Sequence, residues 1–120
     1  MILILLVHGW ALLTSAYFYI WWLDLLLHAA GGFWAGALGL YIFRETFLSG
    51  FLRMLAAVGF AALVGILWEL LEFGVNQVWE TLGRIAFLQP SLRDTMADLL
   101  ADLAGSFFTF FLSRNSKKKL

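Results

Sequence analysis

The sequence predicts an all-α, polytopic membrane protein, a four-transmembrane-helix bundle with both termini cytoplasmic. Three observations predict it. Of the 120 residues, 62% are hydrophobic and only 13% are charged, whereas about a quarter of a soluble domain is charged, and a chain this short leaves too much surface in water to hide so much apolar area. Four apolar runs are long enough to cross a hydrocarbon core, which takes about 20 helical residues. Within these runs the apolar residues are continuous and not alternating, which excludes the strands of a membrane β-barrel.

The first expected span covers residues 2–23, interrupted only by His8. It lacks a basic leading region and is too long for the apolar part of a signal peptide, so it reads as a retained helix. The second covers residues 25–43, begins beside Asp24 and carries His28. The third covers residues 54–79 and carries Glu69 and Glu72. The fourth covers residues 92–112 and carries Asp98 and Asp102. Ser91 and Asp94 form a Ser-x-x-Asp capping pattern just after Pro90, a helix-entry signal for this last span. The stretch 81–89 (TLGRIAFLQ) reads equally as a short amphipathic segment in the interface or as a loop. Residues 1–113 form one transmembrane domain, and 114–120 form a basic cytoplasmic tail.

Orientation follows from Lys and Arg placement. Arg44 and Arg53 flank the connection between spans two and three, and Arg114, Lys117, Lys118 and Lys119 follow span four. Arg84 and Arg93, in the connection after span three, are a smaller contrary signal. The balance places both termini and the middle connection in the cytoplasm of a bacterial inner membrane. Tyr17, Tyr19, Trp21, Trp22 and Trp79 then form an outer aromatic belt. The chain contains no Cys, which excludes disulfides and thiolate chemistry, and its net charge is zero, which argues against a nucleic-acid partner. No phosphate-cradling loop, nucleophile elbow or dinucleotide fingerprint is present.

The acids are the main clue. An ionisable group at a helix centre in a bilayer costs at least ~2.5–3.5 kcal/mol and is usually functional or paired, yet the expected spans hold no Lys and no Arg beyond Arg93, at the very start of the fourth. At about 1.5 Å per residue, Asp24 and His28, then Asn76, Glu72 and Glu69, then Asp94, Asp98 and Asp102 all fall in one layer of the outer half of the membrane. Helical periodicity places each set on one face. On span two, Asp24 and His28 share a face with Gly31, Ala35 and Gly39, opposite Phe33 and Leu40. On span three, Glu69, Glu72 and Asn76 share one with Ala62 and Gly65. On span four, Asp94, Asp98, Asp102 and Gly105 oppose Met96, Leu99, Leu103 and Phe110. The small residues let helices approach closely, and the polar ends open as a pocket. DLLLHAAG (24–31) and DLLADLAG (98–105) match at five of eight positions, which suits either a parallel repeat or chance in a Leu- and Ala-rich chain.

So many carboxylates cannot all ionise in a low-dielectric site without a counter-charge. A bound cation provides one. One His with several carboxylates suits Zn²⁺, Mn²⁺ or Fe²⁺, and an oxygen-only subset suits Mg²⁺ or Ca²⁺. The expected site is His28, Glu69, Glu72, Asp98 and Asp102, with Asp24, Asn76 and Asp94 at its mouth. A water on the ion would serve hydrolysis of, or transfer to, a lipid-linked substrate. Two other readings stay open: a proton-coupled transporter or ion relay on the same carboxylates, and a structural network of hydrogen bonds. His8 is expected near the cytoplasmic end of span one, roughly 20 Å from the layer, as a packing residue. Trp68 is expected on a different face from Glu69. Trp10, Phe107, Phe108, Phe110 and Phe111 read as lipid-facing or packing residues. The GGFWAG stretch (Gly32-x-x-x-Gly36) reads as an intramolecular helix contact more than a dimer seam, although a homo-oligomer is compatible with so small a bundle.

Three pieces carry a family resemblance: Asp24-x-x-x-His28 followed by Gly31-Gly32; Trp68-Glu69-Leu70-Leu71-Glu72-Phe73; and Asp94-Thr95-x-x-Asp98 with Gly105. In order and spacing they resemble the YjdF-like small bacterial inner-membrane proteins and, more distantly, the VanZ-like proteins. The resemblance implies a multi-helix inner-membrane fold with an acidic, His-containing intramembrane patch and assigns no settled activity. The chain resembles a compact version of that group. It departs from the VanZ-like pattern in the last helix, where Asp102 stands in the place of an amide.

Overall fold

A single serine ends the first helix early. The computed structural model describes residues 1–83 and 91–116, and in it α1 (Ile2–Thr14) stops where Ser15 takes the left-handed conformation, φ 57° and ψ 30°. The Ser15 N–H turns back to the carbonyls of Ala11 and Leu12, and the Thr14 hydroxyl donates to the Trp10 carbonyl at 2.8 Å. Thr and Ser side chains compete for backbone partners in this way and favour helix ends. A single 3-10 turn (Ala16–Phe18) follows, and the chain re-enters as α2 (Leu23–Ile42). Thirteen residues make a helix of about 20 Å, short of a ~30 Å hydrocarbon core. The expected continuous span over residues 2–23 is thereby corrected. Among the described residues there are four α-helices and no strands, and three of the helices are long and apolar enough to cross a membrane.

The second and third of these are α3 (Gly50–Thr81), 32 residues long, and α4 (Leu92–Ser116). Ser49 caps α3, its hydroxyl accepting from the Leu52 N–H at 3.3 Å. The expected cap at Ser91 forms, accepting from the Asp94 N–H at 3.2 Å. Loss of such a cap costs about 1 kcal/mol, so Ser49→Ala is expected to lower the unfolding free energy in mixed micelles by about that much. Thr81 closes α3, and Leu82 and Gly83 turn the chain, Gly83 at a φ of 68°. The rest of the expected 81–89 segment, with Arg84 and Pro90, and the tail residues Lys117, Lys118 and Lys119, lie outside the described residues.

The bundle is polar inside and apolar outside. On α4 the buried residues are Asp98, Asp102, Ser106 and Thr109. On α3 they are Ala57, Val58, Ala61 and Gly65, then Glu69, Glu72 and Asn76. Leu63, Ile66, Leu67, Leu70 and Phe73 point outward, as helices solvated by lipid tails require. The buried face of α3 runs through Ala61, with the expected Ala62 only half-buried, and on α4 Leu99, Leu103 and Phe110 are half-buried instead of lying fully in lipid. Helix α2 packs most extensively on α4. A Cβ on Gly32 would collide with the Asp102 backbone, one on Gly36 would lie 2.6 Å from Ser106 Oγ, and one on Gly105 would collide with the Ala29 carbonyl. The Thr109 hydroxyl donates to the Phe33 carbonyl across this seam at 2.8 Å. GGFWAG is thus an intramolecular contact with α4. Gly39 packs similarly on Ala57 of α3.

Candidate functional site

Three helices bring the polar layer together around one imidazole. His28 lies one turn below Asp24 on α2. Its Nδ1 is 3.3 Å from Asp102 Oδ2 on α4, and its Nε2 is 3.6 Å from Glu69 Oε1 on α3. All three side chains are buried. The fully buried Nε2 atom has no hydrogen-bond partner among the described residues. The contact of His28 with Asp102 joins the fifth positions of the two similar octets, 24–31 on α2 and 98–105 on α4.

The carboxylates cluster in overlapping sets. Asp24, His28 and Glu72 form one; His28, Glu69 and Asp98 a second; Asp24, Asp94 and Asp98 a third. Within each set one ligand atom per residue lies within 4.8 Å of the others. Asp24 and Asp94 are half-buried, whereas Glu72 is only 1% exposed and Asn76, expected with them at the mouth, is buried on α3. Asp102 stands outside all three sets. Its carboxylate occupies a niche that only glycines leave open, since a Cβ on Gly65 would collide with it and one on Gly31 would lie 3.8 Å away. Part of the small-residue stripe therefore houses a carboxylate as well as sealing the bundle.

Two residues expected elsewhere belong here. His8 lies against the rest of the layer, because α1 ends at Thr14 and its return path is short. Its ring meets Trp68 edge-on at 5.1 Å, and its Nδ1 shares a 2.7 Å hydrogen bond with the Tyr17 hydroxyl. The expected separation of roughly 20 Å assumed a 22-residue helix. Trp68, on a different face from Glu69, donates from Nε1 to Glu72 Oε1 at 3.0 Å, because residues four apart are neighbours on a helix. Tyr17 is half-buried against His8 and leaves the expected outer belt, whereas Tyr19, Trp21 and Trp22 are exposed. Burial, reinforced by the carboxylates of Asp24, Glu72 and Asp98, holds the Tyr17 phenol above its ordinary range. The phenol therefore stays protonated. The Thr-Ser pair at 14–15 was the one signal in the sequence that the first helix ends there and that His8 moves into the layer.

Openings flank the cluster on both sides. Toward α1 lies a cavity of about 50 Å³ bordered by His8, Asp24, His28, Trp68 and Asp102, room for one or two waters. Between α3 and α4 lies a larger opening of about 500 Å³, bordered by Glu69, Asn76, Glu80, Ser91 and Thr95. Among the described residues the charges of the cluster do not balance. Asp24, Glu69, Glu72, Asp98 and Asp102 face two histidines, and the nearest arginines along α3 and α4 are Arg53 and Arg93, in the first turns of those helices. The arrangement suits an ion or protons as the missing positive charge.

Comparison with known proteins returns one family. No curated protein and no solved structure matches the chain. The family described as "Predicted membrane protein (DUF2238)" matches residues 1–118, nearly the whole chain and every element of the site. The chain therefore belongs to the DUF2238 family of membrane proteins.

Proposed function

We propose that this protein binds a divalent cation inside the membrane, with His28 Nε2, Glu69 and Asp98 as its core ligands and Glu72 and Asp24 within reach. The observation that carries the reading is the His28 geometry. A gap of 3.6 Å between Nε2 and Glu69 Oε1 is too long for a good hydrogen bond. It is close to the separation of about 3.4 Å between two ligands held about 2.1 Å from one tetrahedral ion. Asp102 on Nδ1 then acts as the carboxylate that orients a metal-bound imidazole and raises its basicity. The donor set of one nitrogen and several carboxylate oxygens favours Zn²⁺, Mn²⁺ or Fe²⁺ over Mg²⁺. A water on such an ion is acidified, and a spare carboxylate, Glu72 or Asp24, is available to take its proton. This supports hydrolysis or transfer on a lipid-linked substrate.

The finer placement among YjdF-like proteins is part of the same proposal, supported by the family match over residues 1–118. So is orientation. The basic end with Arg44, Arg53 and Arg114 faces the cytoplasm of a bacterial inner membrane, and the acidic layer lies toward the outer leaflet. The test is elemental analysis of purified protein beside His28→Gln. One equivalent of a transition metal in the parent and none in the variant is the expected result; background levels in both would remove the reading. Binding is expected to release protons and to weaken as pH falls, because the ligands must be deprotonated. Calorimetry in buffers of different ionisation enthalpy checks this.

One observation favours a second reading, a proton or ion relay. His28 and Asp102 border the smaller cavity while Glu69 borders the larger one, so the cluster stands between two openings. Proton flux in proteoliposomes that disappears in Glu69→Gln, with no bound metal, would select this reading over the first.

A further inference from the structure

The opposite end of the bundle holds a second site of opposite charge. Arg44 just beyond α2, Arg53 in the first turn of α3 and Arg114 in the last turn of α4 border one cavity of about 690 Å³, within the size range of small-molecule pockets, about 300–1,000 Å³. Along α2 it lies about 24 Å from His28, so the two sites are independent. Among the described residues no carboxylate borders it. Among the described residues Glu45 alone is paired with these guanidinium groups, and its ion pair with Arg44, at 3.1 Å, is exposed to solvent.

The guanidinium groups are partly oriented. Arg44 lies over the Tyr41 ring, 4.2 Å from its centroid, and Arg114 over the Phe110 ring at 5.7 Å. Stacking on a ring face leaves the N–H edges of a guanidinium available. Arg53 Nη2 donates to the carbonyls of Thr46 and Leu48 at 3.3 and 3.4 Å. Its buried Nε has no hydrogen-bond partner among the described residues. Gly50 and Phe51, which also border the cavity, open α3. Ser49 satisfies the Leu52 N–H, and the first N–H groups of a helix have no carbonyl within it to reach. Fixed arginines, backbone donors and the positive end of a 32-residue helix together favour a tetrahedral dianion or monoanion.

We propose that this cavity binds a phosphate group, as the headgroup of an anionic phospholipid or as a free phosphate. It lies at the ends of three helices long and apolar enough to cross a membrane, where lipid headgroups would meet it, and exposed Tyr41 and Phe51 border it.

The test is native mass spectrometry of the full chain released from mixed micelles, with phosphatidylglycerol and phosphatidylcholine in equal amounts. Retention of phosphatidylglycerol over phosphatidylcholine, falling at least about tenfold in Arg44→Gln/Arg114→Gln, is expected for lost charge-assisted contacts. Excess inorganic phosphate separates the sources: no displacement assigns a lipid headgroup, and displacement with direct phosphate binding assigns the free ion. Arg44 and Arg114 are exposed and their loss leaves the fold intact, checked by unchanged helicity. Arg53→Gln adds a further loss unless it also unfolds the α2–α3 connection, in which case the double variant alone decides. Equal retention of both lipids by the parent together with no phosphate binding, or binding unchanged in the double variant, would overturn the proposal.

Discussion

His28→Ala is expected to abolish divalent-cation binding, with at least a hundredfold loss of affinity by calorimetric titration, while the helices remain. The imidazole is the one nitrogen ligand in the proposed set, and it bridges two helices by side-chain contacts, to Glu69 on α3 and Asp102 on α4. Its removal leaves carboxylates alone, which favour harder ions and bind transition metals less well. The effect should be graded around the site. Asp102→Asn keeps the shape but exchanges a carboxylate on Nδ1 for an amide, and partners of that kind are worth about 10–100-fold in metal affinity. Trp68→Phe removes the indole donor to Glu72 Oε1 and is expected to change affinity less than either. A structural network without an ion gives a different ordering: there the Asp102 and His28 variants lose stability in parallel, and no titration signal exists to lose.

Gly105→Leu is expected to be the most destabilising single change, lowering stability by more than about 3 kcal/mol or preventing folding. The usual cost of overpacking, about 1–3 kcal/mol, assumes that side chains can move aside. Here the first added atom meets backbone, the Ala29 carbonyl and, at 2.7 Å, the Phe33 nitrogen. Gly32→Leu meets the Asp102 backbone and should behave alike. Gly59 supplies the control, because nothing lies within 4 Å of an added Cβ there. Gly59→Ala is expected to be neutral or stabilising by up to about 1 kcal/mol from helix propensity. Unfolding in mixed micelles, followed by helicity, gives all three values. A Gly105→Leu protein as stable as its parent would mean that α2 and α4 do not pack as described.

Much of this arrangement was legible in the sequence because membrane helices obey two simple rules, length and periodicity. The acidic face of α4 follows directly from the four-residue spacing of Asp94, Asp98 and Asp102. The small-residue stripe of α2 follows from the helical spacing of Gly31, Ala35 and Gly39, and its contact with α4 from Gly32 and Gly36. The first helix was misjudged because hydropathy does not distinguish one continuous helix from a helix broken by a single left-handed residue. Ser15 makes that break through backbone geometry and leaves the apolar character unchanged. The error carried His8 away from the layer, since its depth was counted along a helix that ends at Thr14. Trp68 was set against Glu69 alone, which does lie on another face; its partner is Glu72, four residues on and so its neighbour on the helix surface. The niche for Asp102 between Gly31 and Gly65 depends on contacts between helices, which no single-helix pattern contains.

The most direct measurement is X-ray absorption at the metal edge of protein loaded with one equivalent of Zn²⁺. The expected spectrum has a shell of nitrogen and oxygen ligands at about 2.0–2.1 Å, with the outer-shell scattering of one imidazole that disappears in His28→Ala. A spectrum of hydrated or lipid-bound zinc without imidazole scattering, the same in parent and variant, would contradict an intramembrane site built on His28.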